Sequence, residues 1–299
     1  MHRLKPAKPI PLAAALLLAS CATTGTTGKT GTWSQAGVTF GSRPAKKGDV
    51  DDSRQSIISH MRVVVTSGGR TLAVRTLDRK QHKRVVATIL SVKDGGDTEQ
   101  RLHFLESTKT SSVDGRPGVP TISPVSGKTY VVRFVKGKVE VTSDDGGAVP
   151  EAEAAIVREE VGSADQGDAM DAFMSSHTFE KGVSIAVPDD VVTKTFGGSA
   201  DGGLRFGGMT LVLTEVRSKK AGPVAVLATS FRITGPVGNG ATISARMKGT
   251  FIIDIASGSV LSGTFSGPVE MSGTLHDGGV VAEIKGTGTM TVTGSDAYE

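Results

Sequence analysis

The sequence predicts a mainly β protein, built of antiparallel curved sheets or open barrel-like lobes, with one or two short helices around residues 150–176. Three observations lead there. Apolar and polar residues alternate with period two over Ile284–Thr293, turn-forming Gly and Asp recur between segments rich in Val, Ile and Thr, and helical spacing is concentrated after residue 150.

The first twenty residues stand apart. Met1 to Lys8 is basic, carrying Arg3, Lys5 and Lys8 without an acidic residue, and Ile10 to Ala19 is an apolar run broken only by Pro11. That run is about half the roughly 20 residues a membrane-spanning helix needs, so residues 1–20 are expected to be a cleaved secretory signal. Leu18-Ala19-Ser20-Cys21 resembles the bacterial lipobox, in which the cysteine thiol is acylated and the chain is cut just before it. The resemblance implies a lipid anchor, palmitate included, at Cys21, the only cysteine of the chain. Ala22 follows it, and by resemblance to the enterobacterial sorting rule this favours delivery to the outer membrane over inner-membrane retention, with the periplasmic face expected and the cell surface as the alternative.

Residues 21–55 are expected to form a Thr/Gly-rich tether, because Ala22 to Gly31 is too poor in apolar groups to repay its ordering entropy. A first β lobe, 56–149, is read from Met61–Thr66, Thr71–Leu77, Arg84–Val92, Arg101–Glu106, Thr129–Val135 and Lys138–Thr142. Ser67-Gly68-Gly69, Asp94-Gly95-Gly96-Asp97 and Lys136-Gly137 supply residues that tolerate the backbone of tight hairpin turns. An acidic helical link, 150–182, follows. Pro150 suits a first helical turn, Ala152, Ala155, Ile156 and Glu159 share one face, and Ala164 to Met174 is a second short helix.

The second β lobe, 183–299, carries the clearest alternation: Phe251, Ile253 and Ile255, then Leu261, Gly263, Phe265 and Gly267, then Ile284 to Val292. One wet face and one buried face are implied. Gly263, Gly267, Gly273, Gly286 and Gly288 fall on or near the apolar face, where their missing side chains allow strong curvature, close backbone packing, or a cavity. If a cavity, its candidate apolar lining is Phe251, Phe265, Met271 and Met290.

Ser126-Gly127-Lys128-Thr129-Tyr130 before a strand, Phe134 to Val139 as a hairpin, the acidic helical link, and Phe251 to Gly258 running into a turn together resemble a family of uncharacterised, secreted, β-rich bacterial lipoproteins over about residues 60–294. The resemblance implies a β-rich fold and carries no catalytic residue.

Charge is uneven. Residues 60–140 hold 15 Lys and Arg against 7 Asp and Glu, whereas 141–201 hold 3 against 13; removal of residues 1–20 would leave a net charge of +1. An exported chain with two Tyr and one Trp is a poor nucleic-acid binder. His60, His82, His103, His177 and His276 have no short ligand spacing, and Asp165, Asp168 and Asp171 share a helical face without a calcium-binding loop, so neither a metal nor a cofactor is expected. No Gly-x-Ser-x-Gly elbow occurs, which argues against a serine hydrolase of that type, although folding could bring His177 or His276 beside a carboxylate. The expectation is a non-catalytic, lipid-anchored envelope protein that binds an apolar ligand or serves as a scaffold for another envelope protein.

Overall fold

The computed structural model describes residues 30–34, 37–93, 96–135, 138–161, 166–196, 203–237, 240–277 and 280–298. Cys21, the expected acylation site, lies outside them.

The elements run β1 (Thr32–Ser34), β2 (Gly37–Thr39), β3 (Val50–Ser67), β4 (Arg70–Lys93), β5 (Gly96–Val113), β6 (Arg116–Pro117), β7 (Thr121–Ile122), β8 (Thr129–Val135) and β9 (Lys138–Ser143). Helices α1 (Glu151–Val161) and α2 (Gln166–Ser176) follow, then β10 (Thr178–Phe179), β11 (Ser184–Ala186) and α3 (Asp189–Phe196). The chain ends in β12 (Arg205–Lys219), β13 (Gly222–Pro236), β14 (Ala241–Asp254), β15 (Val260–Asp277) and β16 (Val280–Tyr298).

Among the described residues, thirteen strands form one antiparallel sheet in the order β11-β12-β13-β14-β15-β16-β3-β4-β5-β8-β9, with β6 and β7 paired to β5. The two ends of that order do not pair, so the sheet is curved and open rather than a closed barrel. The predicted fold class is therefore the observed one, but the two lobes are a single sheet. They are joined where β16 lies against β3, from Glu283 opposite Thr66 to Tyr298 opposite Asp51.

Two expectations about the first lobe are corrected. Order begins well before residue 56: β1, β2 and β10 make a small sheet of their own, and Val38 and Phe40, each 1 % exposed, enter the main core, where the Phe40 ring meets Phe179 edge-on at 5.3 Å. The segments Thr71–Leu77 and Arg84–Val92 are not separate strands either. They are the ends of β4, whose 24 residues run through the charged stretch Asp78–Arg84. Straight, such a strand would be about 80 Å long; register shifts at Arg84/Val85 and around Ser91 bend it.

A main core lies on the inner face of β12–β16 and β3, closed over by α2, α3 and the small sheet through Phe173, Met174, Phe179 and Val192. A second core joins β4, β5 and β8 to α1 through Val85, Leu102, Phe104, Tyr130, Val132 and Val157. Helix α3 was not foreseen. Its start is a Pro188 carbonyl that accepts from the Val192 amide at 3.0 Å, followed by Asp189 and Asp190 in the first turn, where carboxylates oppose the helix dipole favourably.

The inward glycines have a definite use. Gly249 in β14 sits opposite Phe265, Gly267 in β15 opposite Met290, and Gly288 in β16 opposite Met61. A Cβ on any of the three would lie 1.9 to 2.0 Å from a backbone oxygen of the neighbouring strand. The three positions step diagonally across the sheet, and a bulky neighbour faces each gap. Their room is filled by backbone, as strong coiling of a sheet requires.

Candidate functional site

The structure brings the four candidate lining residues together. Phe251, Phe265, Met271 and Met290 are each at most 7 % exposed and belong to the main core. Phe265 receives Phe251 at 4.8 Å and Phe231 at 5.6 Å, both near-perpendicular, so these side chains fill the space they were expected to line.

The inner face is interrupted elsewhere. Alternate residues of β3 point inward, and between the apolar Ile57, Met61 and Val63 this series includes buried Gln55 and Ser59. Pairing places Gln55 opposite Lys83, Ile57 opposite Gln81 and Ser59 opposite Arg79; those three residues face Ser107, Lys109 and Ser111 in β5. Directly opposed residues share a face, so a polar band crosses three strands at the boundary of the two cores. Over it sits a cleft of about 250 Å³ lined by Gln55, Arg79, Gln81, Lys83, Ser107 and Lys109 of this band together with Phe104, Thr121, Ser123 and, from α1, Ile156, Glu159 and Glu160.

The acidic residues of α1 hold that helix over the cleft. Glu160 accepts from Lys83 Nζ at 2.5 Å, and two turns earlier Glu153 accepts from the Tyr130 hydroxyl at 2.6 Å and from Lys128 Nζ at 2.7 Å. Burial, and then the Glu153 carboxylate, pushes the Tyr130 hydroxyl pKa up, so it remains a donor. The opposed charges of the basic first lobe and acidic link thus meet within the fold.

The cleft floor is electrostatically unusual. Burial pushes the Arg79 guanidinium down to about 10, and Lys109 is lowered by burial and by the charge of Arg79 beside it. Arg79 makes one long contact, Nη2 to Gln81 Oε1 at 3.4 Å, and its Nη1 is buried with no partner among the described residues. Gln55, 8 % exposed, likewise has its Nε2 buried and unpartnered. Buried donors in this condition cost on the order of 1–3 kcal/mol each unless something accepts from them.

A buried carboxyl group lies farther along the same strands. Asp51, opposite Tyr298, is pushed up to about 7 by burial and by the charges of Asp296 and Asp52; Asp296, opposite Ser53, is raised to about 6, mainly by burial. Asp52 faces outward onto Arg84, with contacts of 2.7 and 2.8 Å that hold it down at about 2.

The histidines take no such place. His60 on the outer face pairs through Nδ1 with Asp78, whose other oxygen accepts from Ser112 Oγ at 2.8 Å. The carboxylate stands between the serine and the imidazole, so the imidazole is not positioned to take the serine proton. His177 Nδ1 contacts the Phe173 carbonyl at 2.8 Å and its ring lies on Phe173 at 4.2 Å, a role in ending α2. The side chain of His276, and Asp165, are outside the described residues. Among the described residues, no three His, Cys, Asp or Glu side chains are grouped to hold a metal ion.

Gln55, Arg79, Lys83 and Lys109 were not foreseen as site residues. The signal was present in Asp78-Arg79-Lys80-Gln81-His82-Lys83-Arg84: if this stretch is strand, half of its polar side chains must point inward.

No family model matches the chain, and no curated protein is similar to it in sequence. Among solved structures it is similar to lipovitellin, at 10% identity over 82% of this chain with a TM-score of 0.37; the chain spans 25% of lipovitellin's length. It also has similarity to the translocator domain of the autotransporter NalP from Neisseria meningitidis (8% identity, 82% of this chain and 88% of that one, TM-score 0.16). A Pseudomonas aeruginosa FadL homologue gives 7% identity over 86% and 93% of the two chains, TM-score 0.15. Similarity this low carries no functional information.

Proposed function

We propose that this chain is a non-catalytic protein of the bacterial envelope, lipid-anchored through Cys21 at the periplasmic face of the outer membrane, that binds a ligand on the inner face of its curved sheet. The observation that carries the binding role is the cleft under α1. The apolar packing of the inner face stops there, and a roofed space of about 250 Å³ with apolar walls (Phe104, Ile156) and a polar floor takes its place. Small-molecule sites have this character of mostly apolar walls with a few polar groups that fix orientation.

Size narrows the occupant. Drug-sized pockets span roughly 300–1,000 Å³, so this cleft suits a small molecule or the head of an amphiphile, and is too small to enclose acyl chains. The packed cluster of Phe251, Phe265, Met271 and Met290 then serves as the rigid wall against which the sheet is formed. The direct test is native mass spectrometry of the full chain from a lipid-containing host, in search of a non-covalent adduct that unfolding removes.

A further inference from the structure

Taking that binding role as its premise, we propose that the cleft under α1 is a phosphate-group site, in which Arg79, Lys109 and Gln55 donate to the oxygens of one anion. The three donors come from three neighbouring strands, β4, β5 and β3, and line the same cleft. Two of them carry a donor atom with no acceptor: Arg79 Nη1 and Gln55 Nε2 are buried without a partner among the described residues. Gln55 is more than nine-tenths buried, so water does not bathe the amide freely.

Charge points the same way. Three cations, Arg79, Lys83 and Lys109, line the cleft against two carboxylates, Glu159 and Glu160. Glu160 is engaged by Lys83 at 2.5 Å, and Glu159 is exposed at the rim of the cleft. Among the described residues, Arg79 and Lys109 are left as two neighbouring positive charges that no carboxylate of α1 pairs with, each disfavoured by burial and Lys109 also by its neighbour. A bound anion removes that repulsion and supplies the missing acceptors together. Donors converging from three strands suit a tetrahedral anion, whose oxygens point to several sides, better than a planar carboxylate. The phosphate can be free or can be a lipid headgroup, and the cleft's volume admits either without its acyl chains.

The test uses the full chain in mild detergent, titrated by calorimetry with inorganic phosphate and, separately, with dihexanoylphosphatidylglycerol below its micellar concentration. Binding should weaken about tenfold or more in Arg79→Gln and in Lys109→Gln, the scale of one lost charge-assisted hydrogen bond. Glu159→Gln, which removes a rim carboxylate, should tighten binding about two- to threefold, a gain that a damaged fold cannot imitate. Binding of both probes with these changes supports a free phosphate as occupant. Binding of the lipid alone, with the same changes, supports a headgroup. Absence of binding by either, or binding indifferent to Arg79→Gln and Lys109→Gln, overturns the phosphate site. An adduct in native mass spectra that survives both substitutions would leave the broader binding role standing while the phosphate site falls.

Discussion

The ring of Phe265 in β15 lies across from Gly249 in β14, with its Cδ1 2.7 Å from where a Cβ on Gly249 would be. The same virtual Cβ is 1.9 Å from the Thr264 carbonyl oxygen. Side chain and backbone of one strand thus occupy the place left by the missing side chain of the next, which is how the sheet coils tightly without leaving a void.

Gly249→Ala is therefore expected to destabilise the fold by roughly 2–4 kcal/mol, because backbone cannot yield cheaply. Gly286→Ala is the contrasting case. Its Cβ would meet Met61 Cε at 3.2 Å and Met271 Cε at 3.3 Å, flexible ends that can adjust, and Met271 Cβ at 3.3 Å, a gap short by only a few tenths of an ångström, so a loss within about 1 kcal/mol is expected. Denaturant midpoints of the two variants check this, and equal losses would contradict the close-approach account.

Acidity should stabilise the protein over part of its range. Folded Asp51 keeps its proton up to about pH 7 and Asp296 up to about pH 6, against an ordinary value of 3.8 in an unfolded chain. Between those limits the folded state binds more protons than the unfolded one, so stability falls as pH rises. From pH 4 to pH 8 the loss should be on the order of 2 kcal/mol or more. Asp52 acts in the opposite sense, but only as pH falls from about 4 towards about 2, where the carboxylate that Arg84 holds takes up its proton. Asp51→Asn should flatten the decline and raise stability at pH 8. Urea unfolding at pH 4, 6 and 8 measures it, and a variant less stable than the native chain at pH 8 would refute the assignment.

The anchor has its own check. Cys21→Ala should abolish incorporation of labelled palmitate in a bacterial host. Undiminished labelling would place the acyl group on another residue and overturn the anchor at Cys21.

Much of the fold was legible in the residues. β16 reads directly from Ile284–Thr293 because one face is buried and the other wet, and α1 reads as a helix from Pro150 onward, although the residues it buries, Ala154 and Val157, are not those that the spacing of Ala152, Ala155 and Ile156 marks. What was not legible involves partners distant in sequence. The seven polar residues Asp78–Arg84 have no apolar alternation, since their inner face meets a polar cleft rather than a core, so β4 reads as two strands with a break. The floor of the cleft depends on Gln55, Arg79 and Lys109 being aligned by strand register, which no local pattern discloses. Likewise Phe40 reads as an isolated residue in a polar segment until Phe179 is found against it. The inward glycines could be identified in sequence, but curvature and cavity predict the same glycines. Only the contacts of each virtual Cβ separate them.

The central claim, that the inner face of the sheet holds a ligand, is tested most directly by native mass spectrometry of the full chain, purified in mild detergent from a lipid-containing host. A denatured sample fixes the covalent mass, and a second detergent controls for detergent adducts. The account predicts a reproducible non-covalent adduct, present in both detergents and lost on unfolding, small enough for a head group or small molecule to occupy the cleft under α1. A folded protein at its bare covalent mass in every preparation would contradict it.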